Sequence, residues 1–206
     1  MPRTPRQKRS QATVDAIIEA GFLAVAEAGT AGATTNRIAE LAGIGVGSLY
    51  EYFRNKEDIY EAMQQRAVAD AVAAISPLLG EIVQMDIRSA VKALFMRFEA
   101  FLRENDGRYL RYAQSTLSVS PGLKLDPLIR LLQDLVVRYA MQHPQHLRLA
   151  GIPVMSYILI NGGVFIVLRH LSDPNPPISF AELADGMADM ASRYASGDRQ
   201  GRESLS

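Results

Sequence analysis

A sharp break between two short apolar segments, within Thr34–Lys56, constrains the fold of this chain more than any other sequence feature. Thr34 is a good N-cap for a short helix, and Gly43 follows the last apolar residue of that helix, where a left-handed conformation is needed. The next run has apolar residues at spacings of three and four, which predicts a second short helix. The stripe predicted to pack on the first helix consists of Val46, Leu49, Tyr50 and Phe53. Two such helices joined by a tight turn form a helix-turn-helix, which places one helix in a DNA groove.

The small residues of this stretch support that interpretation. Ala39 in the middle of the first helix permits close approach of the second helix, and Gly43 permits the sharp turn. The opposite side of the second helix combines small residues with hydroxyl groups, which suits contact with a phosphate backbone. Those residues are Gly47, Ser48, Glu51 and Tyr52. The alternative from spacing alone is an ordinary helical hairpin in an all-helical protein.

The segment AGIGVGSLYEYFRNKEDI also resembles the DNA-binding signature of the TetR family of bacterial transcriptional regulators. In that signature the recognition helix ends in a Leu-Tyr-x-Tyr/His-Phe run that is followed by a lysine. The resemblance is specific over about Ala12–Met63 and weak beyond it. It implies a three-helix DNA-binding head, a larger helical ligand-binding body and a homodimer on palindromic double-stranded DNA.

Carried over residue by residue, the resemblance assigns a DNA-binding surface. Thr35 would contact phosphate and Arg37 would face DNA beside it, while Val46 and Gly47 would lie against base edges. The residues implied to bind the DNA backbone are Ser48, Tyr50, Tyr52 and Lys56. The chain departs from the family at Gly45, where Ser or Thr is usual, and a Gly cap costs only a few tenths of a kcal/mol. The apolar side chain of Val46 does not support strong hydrogen-bonded base reading.

Composition indicates a folded protein with a sizeable core, since 48% of its 206 residues are hydrophobic. Cysteine is absent, which excludes disulfides and thiolate sites and fits a reducing cytoplasm, where we expect the protein to reside. No apolar run of a secretory signal follows the basic N-terminal residues. Net charge is zero, so DNA binding does not follow from it. The basic arm formed by Arg3, Arg6, Lys8 and Arg9 suits either phosphate and minor-groove contact or a solubilising tail.

We predict an all-α fold, because 3.6-residue periodicity recurs along the chain and no strand alternation is convincing. Pro77 ends a long helix that begins after Asn55, and Gly29 ends the first helix. The predicted organisation is a flexible basic arm (1–9), a helix-turn-helix DNA-binding domain (10–55), a connecting helix (56–79), a helical ligand-binding and dimerisation domain (80–196) and a disordered tail (197–206).

Residues 151–171 form the most apolar stretch, with no charge from Ile152 to Leu168. These seventeen residues are at the short limit for a bilayer, and polar and small residues dilute them, so we do not predict a membrane span. A helix buried between two subunits fits better, because Gly162 and Gly163 permit close approach of another helix. Together with the final helix, this segment is expected to form half of a four-helix dimer interface.

A ligand pocket is predicted among the body helices, where an apolar cavity needs a few polar groups to orient its guest. Asn161 is the candidate polar group, since it lies inside an apolar helix and shares a face with Tyr157 and Phe165. Phe98 and Tyr112 are candidates for the wall. The alternative is that Asn161 forms a hydrogen bond across the dimer interface.

No catalytic, cofactor or zinc pattern is recognisable, so the sequence does not predict an enzyme, a cofactor or a metal site. His143 and His146 have the separation of a ligand pair, but Pro144 lies between them and no acidic residue completes a set. The leading hypothesis is a repressor released from its operator by an unknown small-molecule inducer. The alternatives are an activator, a constitutive DNA binder without inducer, a helical scaffold protein and a helical enzyme.

Overall fold

The computed structural model describes residues 8–117, 124–144 and 152–196, and every regular element in these ranges is helical. The all-α prediction is therefore confirmed. The helices are α1 (Lys8–Gly32), α2 (Thr35–Leu41), α3 (Val46–Tyr52), α4 (Lys56–Ile75), α5 (Leu79–Ile82), α6 (Ile87–Leu117), α7 (Asp126–Gln142), α8 (Ile152–Ser172) and α9 (Phe180–Ser196), with a 3₁₀ turn at Ser76–Leu78 between α4 and α5.

Several predicted features lie outside the described residues. These are residues 1–7 of the basic arm, His146, most of the loop before α7 and the tail from residue 197. The domain boundaries drawn from the sequence stay a prediction.

Local chemistry sets the ends of the helix-turn-helix. The Thr34 hydroxyl accepts a hydrogen bond from the Arg37 amide (3.2 Å), which caps α2. At the other end Gly43 has a φ of 68°, its amide donates to the Glu40 carbonyl, and the Ile44 amide donates to the Ala39 carbonyl. This pair of bonds is a Schellman motif, and it ends α2 where the sequence predicted. Asn55 caps α4 through the Asp58 amide (2.8 Å), also as predicted.

The described chain divides into two compact units. The first contains the chain up to Asp70 together with Leu102–Lys124, and the second contains Ala71–Phe101 and the chain from Leu125 onward. The second half of α6 therefore belongs to the same unit as the helix-turn-helix.

The core of the first unit is centred on Phe22 of α1, which is 1% exposed. Tyr109 and Tyr112 of α6 approach its ring edge-on, with centroids 5.3 Å away in both cases. Burial raises the pKa of Tyr112 to about 12, so the hydroxyl stays protonated and donates to the Tyr60 carbonyl (3.3 Å). Arg108 forms an ion pair with Glu19 of α1. These contacts fix the second half of α6 on α1 and α4.

The second unit is a helical body formed by the first half of α6 with α7, α8 and α9. Apolar rows from these helices are buried, including Phe95, Leu135, Val167 and Ala188. On the surface, Asp185 of α9 accepts from Lys92 of α6 (2.8 Å). Surface ion pairs of this kind contribute little stability, so the apolar rows hold the body together.

A break interrupts α6 near its middle. Glu104 has extended backbone angles, and Asn105, Asp106 and Gly107 have φ values of 51°, 55° and 67°. Left-handed backbone is costly for residues with a Cβ, although Asn and Asp tolerate it better than others. Apolar residues at helical spacing lie on both sides of the break, so the sequence pattern does not reveal it.

Helix α8 meets the length and composition criteria of a membrane-spanning helix, with 21 residues and a mean hydropathy of 1.7 in its most apolar window. Only 28% of that window is buried within the single chain. Its inward row consists of Ile160, Gly163, Val164, Val167 and Leu168. The outward face of α8 is apolar as well, since Val154, Tyr157 and Phe165 are exposed.

Candidate nucleic-acid interface and body cavity

The recognition helix α3 is anchored by one residue and presents the rest to solvent. Leu49 is fully buried, and Phe53 at the end of the helix is 7% exposed. Val46 and Tyr50 are 39% and 50% exposed, so the predicted apolar stripe is buried only at Leu49 and Phe53. Seven residues make fewer than two turns, and Leu49 with Phe53 already occupy the inward side. Gly47 and Ser48 are exposed beside Val46.

Two of the predicted DNA-contacting residues bond to each other. A hydrogen bond joins the hydroxyls of Thr35 and Tyr50 (3.2 Å), which links the start of α2 to α3. Tyr52, by contrast, is only partly exposed. The Thr35 and Tyr50 hydroxyls thus lie on one side of the motif, close enough to meet the same backbone segment.

Lys56 has a structural partner. Its ammonium donates to the Thr30 carbonyl (3.0 Å) and lies 5.2 Å from the ring centroid of Tyr60. The Tyr60 hydroxyl donates to the same carbonyl (2.8 Å). Lys56 therefore ties α4 to the end of α1, and contact with phosphate would come in addition to this bond.

Arg37 is held by two carboxylates. Its guanidinium lies 2.8 Å from Glu27 of α1 and 2.9 Å from Glu40 one turn further along α2. The hydrogen bonds that it donates to Glu40 and to Glu27 raise the pKa of Arg37 above its ordinary value. The pair with Glu40 was readable from its i,i+3 spacing, whereas the pair with Glu27 was not, because it joins separate helices. A phosphate approaching this arginine would have to compete with both acids.

We expect Glu27→Gln to strengthen DNA binding about two- to fivefold at low salt, because it removes a competing charge close to phosphate. Titration of labelled duplex DNA over a range of salt concentrations checks this, and the gain should shrink as salt screens the interaction. Glu81→Gln, at an exposed position of α5, is the control for the change in net charge. Weaker binding by Glu27→Gln would mean that Glu27 orients Arg37 instead of competing for it.

The second unit contains two adjoining cavities of about 140 Å³ each, which we call the inner and the outer chamber. The inner chamber includes Phe98, Gly163 and Val167, and the outer chamber includes Ile82, Tyr139 and Ala191. Six residues line both chambers: Val91, Leu94, Leu135, Val136, Ser156 and Leu159. Neither chamber is lined by a charged side chain within the described part of the chain.

The structure does not bring the five predicted ligand-binding residues together. Phe98 lines the inner chamber, but Tyr112 lies in the core of the first unit. Tyr157 and Phe165 are 71% and 60% exposed, and the Asn161 side chain donates to the Tyr157 carbonyl of its own helix (2.9 Å). These three do share a face of α8, but it is the outward face.

Gly162 and Gly163 lie on different faces of α8. A Cβ on Gly163 would lie 3.4 Å from the ring of Phe95 at the inner chamber, whereas a Cβ on Gly162 would meet nothing within 4 Å. Gly162 therefore belongs with the outward row, and Gly163 belongs with the cavity. The assignment of both to a dimer interface stays a prediction for Gly162, and for Gly163 the cavity gives a separate explanation.

Sequence reasoning missed residues at both sites. Arg54, directly after α3, is exposed next to the recognition helix. Its basic character was a usable signal. In the body, Ser156 and Leu159 are the residues of α8 that line both chambers. Their one-turn spacing is readable, but an almost continuously apolar helix gives no indication of which face is inward.

Residues 17–63, which contain α2, α3 and most of α1, match the family model described as "Bacterial regulatory proteins, tetR family". This segment is a TetR-family DNA-binding domain. The match covers the segment in which Thr34, Gly43 and Leu49 set the geometry of the motif. The resemblance drawn from the sequence is confirmed.

Solved TetR-family structures share the whole fold. The fatty acid degradation regulator FadR from Bacillus halodurans is 20% identical and has a TM-score of 0.66, covering 90% of this chain and 99% of its own. A TetR-family regulator from Mesorhizobium loti is 16% identical and has a TM-score of 0.64, covering 93% and 98%. At such identities the likeness establishes the fold alone.

Curated relatives match over a shorter length. A helix-turn-helix-type transcriptional regulator of Staphylococcus aureus is 26% identical over 101 residues, covering 49% of this chain and 52% of its own. The nucleoid occlusion factor SlmA of Haemophilus ducreyi is 30% identical over 107 residues, covering 52% and 50%. The chain thus spans about half the length of the curated relatives it matches.

Proposed function

We propose that this protein is a DNA-binding transcriptional regulator of the TetR family, a repressor that leaves a palindromic operator when a small molecule binds the body. The exposure pattern of α3 supports this proposal most directly: Leu49 is buried, while Val46, Gly47 and Ser48 are exposed. A short helix with small exposed residues can enter the major groove without steric hindrance, and neighbouring hydroxyls can bond phosphate.

The proposed interface divides into two classes of contact. Val46 and Gly47 lie against base edges, where the Val46 methyls suit the methyl group of thymine. Ser48, Tyr50, Tyr52 and Thr35 bond the DNA backbone. Arg37 and Lys56 contact phosphate with their positive charges after they exchange the protein groups that they bind in the free protein. The proposed cytoplasmic location follows from this role.

A second copy of the chain is the proposed protein partner. The outward faces of α8 and α9 expose a row of large apolar side chains next to small residues. The row consists of Val154, Tyr157, Ile158, Gly162, Phe165, Gly186, Met190 and Tyr194. Exposed apolar patches of this kind mark interaction sites, and two copies of α8 and α9 would form a four-helix interface. Two-fold symmetry then gives DNA half-sites about one helical turn apart.

Release by a ligand is supported by the two chambers. A cavity lined by apolar side chains costs stability when it is empty, so its occupation can shift a conformational equilibrium. The ligand must bind the DNA-free conformation more tightly, because equal affinity for both states shifts nothing. A constitutive binder would have no use for such a cavity, and the cavity therefore favours the inducible form.

Selection from a pool of random duplexes tests this function. We expect the enriched sequences to share an inverted repeat whose half-sites lie about 10 base pairs apart or a multiple of that spacing. Binding to the selected site should weaken steeply with salt. Failure to enrich any sequence, with salt-insensitive binding, would favour the scaffold alternative. Transcription from a promoter carrying the site separates a repressor from an activator.

A further inference from the structure

The two chambers of the second unit share part of their walls. Six residues line both of them, including Val136 of α7 and Ser156 and Leu159 of α8. Each chamber holds about 140 Å³, and an engineered apolar cavity of about 150 Å³ accommodates one benzene molecule. The two chambers together therefore suit a guest of roughly a dozen carbon atoms by the same measure.

The lining restricts the chemistry of that guest. The hydroxyl groups that it contains are engaged, since Tyr139 donates to the Met85 carbonyl (3.2 Å) and Ser156 donates to the Pro153 carbonyl (3.1 Å). Tyr194, the remaining polar lining residue, also has an interaction partner. A charged group placed inside would lose its hydration without an opposite charge to compensate, which is strongly unfavourable.

Gly163 borders the inner chamber beside Phe95. A Cβ at this position would lie 3.4 Å from the Phe95 ring, which is van der Waals contact, so this part of the wall is formed by backbone and by the ring. The walls on the other sides are branched aliphatic residues, among them Leu128, Leu132 and Val164. Such walls fit a flexible methylene chain, which can follow an irregular space.

We propose that the effector carries an unbranched hydrocarbon chain of about ten to twelve carbons, which threads through both chambers and leaves any charged headgroup in solvent. This inference rests on the proposed function, since it names the ligand class of the same body cavity. A free fatty acid, a fatty alcohol and an acyl ester all present this chain, so the chain is the recognised chemistry.

Calorimetric titration of the whole protein, without DNA, with n-alkanols and n-alkanoic acids of 6, 8, 10 and 12 carbons tests the inference. We expect affinity to rise about fourfold per methylene until the chambers are filled, as expected for burial of apolar surface. An alcohol and an acid of equal length should bind within about threefold of each other. Affinity independent of chain length would overturn the proposal, as would a preference above tenfold for the acid.

A matched pair of variants on α7 locates the chain. Val136 lines both chambers, whereas the next residue, Val137, is 51% exposed and lines neither. Val136→Phe should lower the affinity for decanol at least 30-fold, because the ring fills the shared boundary, and Val137→Phe should change it less than twofold. Equal losses in the two variants would show that the chain binds elsewhere.

A milder pair covers the case in which Val136→Phe does not fold. Val136→Ile adds one methylene to the same branched shape and should weaken decanol binding about threefold or more, whereas Val137→Ile should leave it unchanged.

DNA binding is measured separately. Chain binding without release from DNA would contradict ligand release and the role of the chain as effector, while supporting the body cavity as the chain-binding site. Release by another compound with no chain binding would contradict the inference alone.

Discussion

Replacing Phe165 with aspartate is expected to convert the protein to a monomer and to lower its affinity for a two-half-site DNA by at least about 100-fold. Phe165 is 60% exposed at the centre of the outward row of α8, beside Gly162. Two-fold symmetry would bring both aspartates into one apolar interface, where unpaired carboxylates are costly. The loss of DNA affinity follows because a monomer engages one half-site and loses the advantage of the tethered second head.

Sedimentation velocity and DNA titration measure the two effects of Phe165→Asp. Met141→Asp is the control, because Met141 is 72% exposed but lies on α7, away from the proposed interface. It should leave both dimerisation and DNA affinity unchanged. A Phe165→Asp protein that stays dimeric at micromolar concentration would place the subunit interface on another surface.

Leu49→Ala is expected to destabilise the helix-turn-helix by about 2–5 kcal/mol, the usual cost of emptying a fully buried leucine site. Leu49 is the buried residue of α3, and Ile38 of α2 is fully buried as well. Without the anchor, only Phe53 at the end of α3 remains buried, and DNA binding should be lost at temperatures where the body remains folded.

Urea unfolding and amide hydrogen exchange of residues 35–52 measure this loss. Val46→Ala is the matched control, since Val46 is an apolar residue of the same helix but is 39% exposed. It should cost less than about 0.5 kcal/mol and should change base preference instead. Equal destabilisation by the two substitutions would contradict the assignment of Leu49 as the anchor.

The helix-turn-helix was predictable because its signals are local. Thr34, Gly43 and Asn55 act on amides within a few residues of themselves, so their roles follow from spacing alone. The inward and outward sides of α3 were harder to assign. Val46 and Tyr50 fit an apolar stripe, but Leu49 and Phe53 are sufficient to fill the space against α2.

The sequence predicts the helices of the body, but it does not predict which residues line the chambers between them. Helix α8 is apolar on all sides, so no periodicity distinguishes its faces, and the choice of Tyr157, Asn161 and Phe165 selected the outward one. The chambers instead use Ser156, Leu159 and Gly163, which lie about half a turn away around the helix. The break in α6 was equally concealed, because Asn105 and Asp106 occur as readily on a helix surface as in a left-handed turn.

The packing of Phe22 affects when the first unit can fold during synthesis of the chain. A nascent chain that ends at Asp70 already contains α1 to α3, but Phe22 then lacks Tyr109 and Tyr112, and Glu19 lacks Arg108. These partners emerge from the ribosome only after the first half of α6, which belongs to the other unit. The N-terminal head therefore does not complete its core first, although N-terminal segments of many proteins do so during translation. A premature stop anywhere before residue 109 leaves an aromatic core residue exposed on a fragment that still carries the recognition helix.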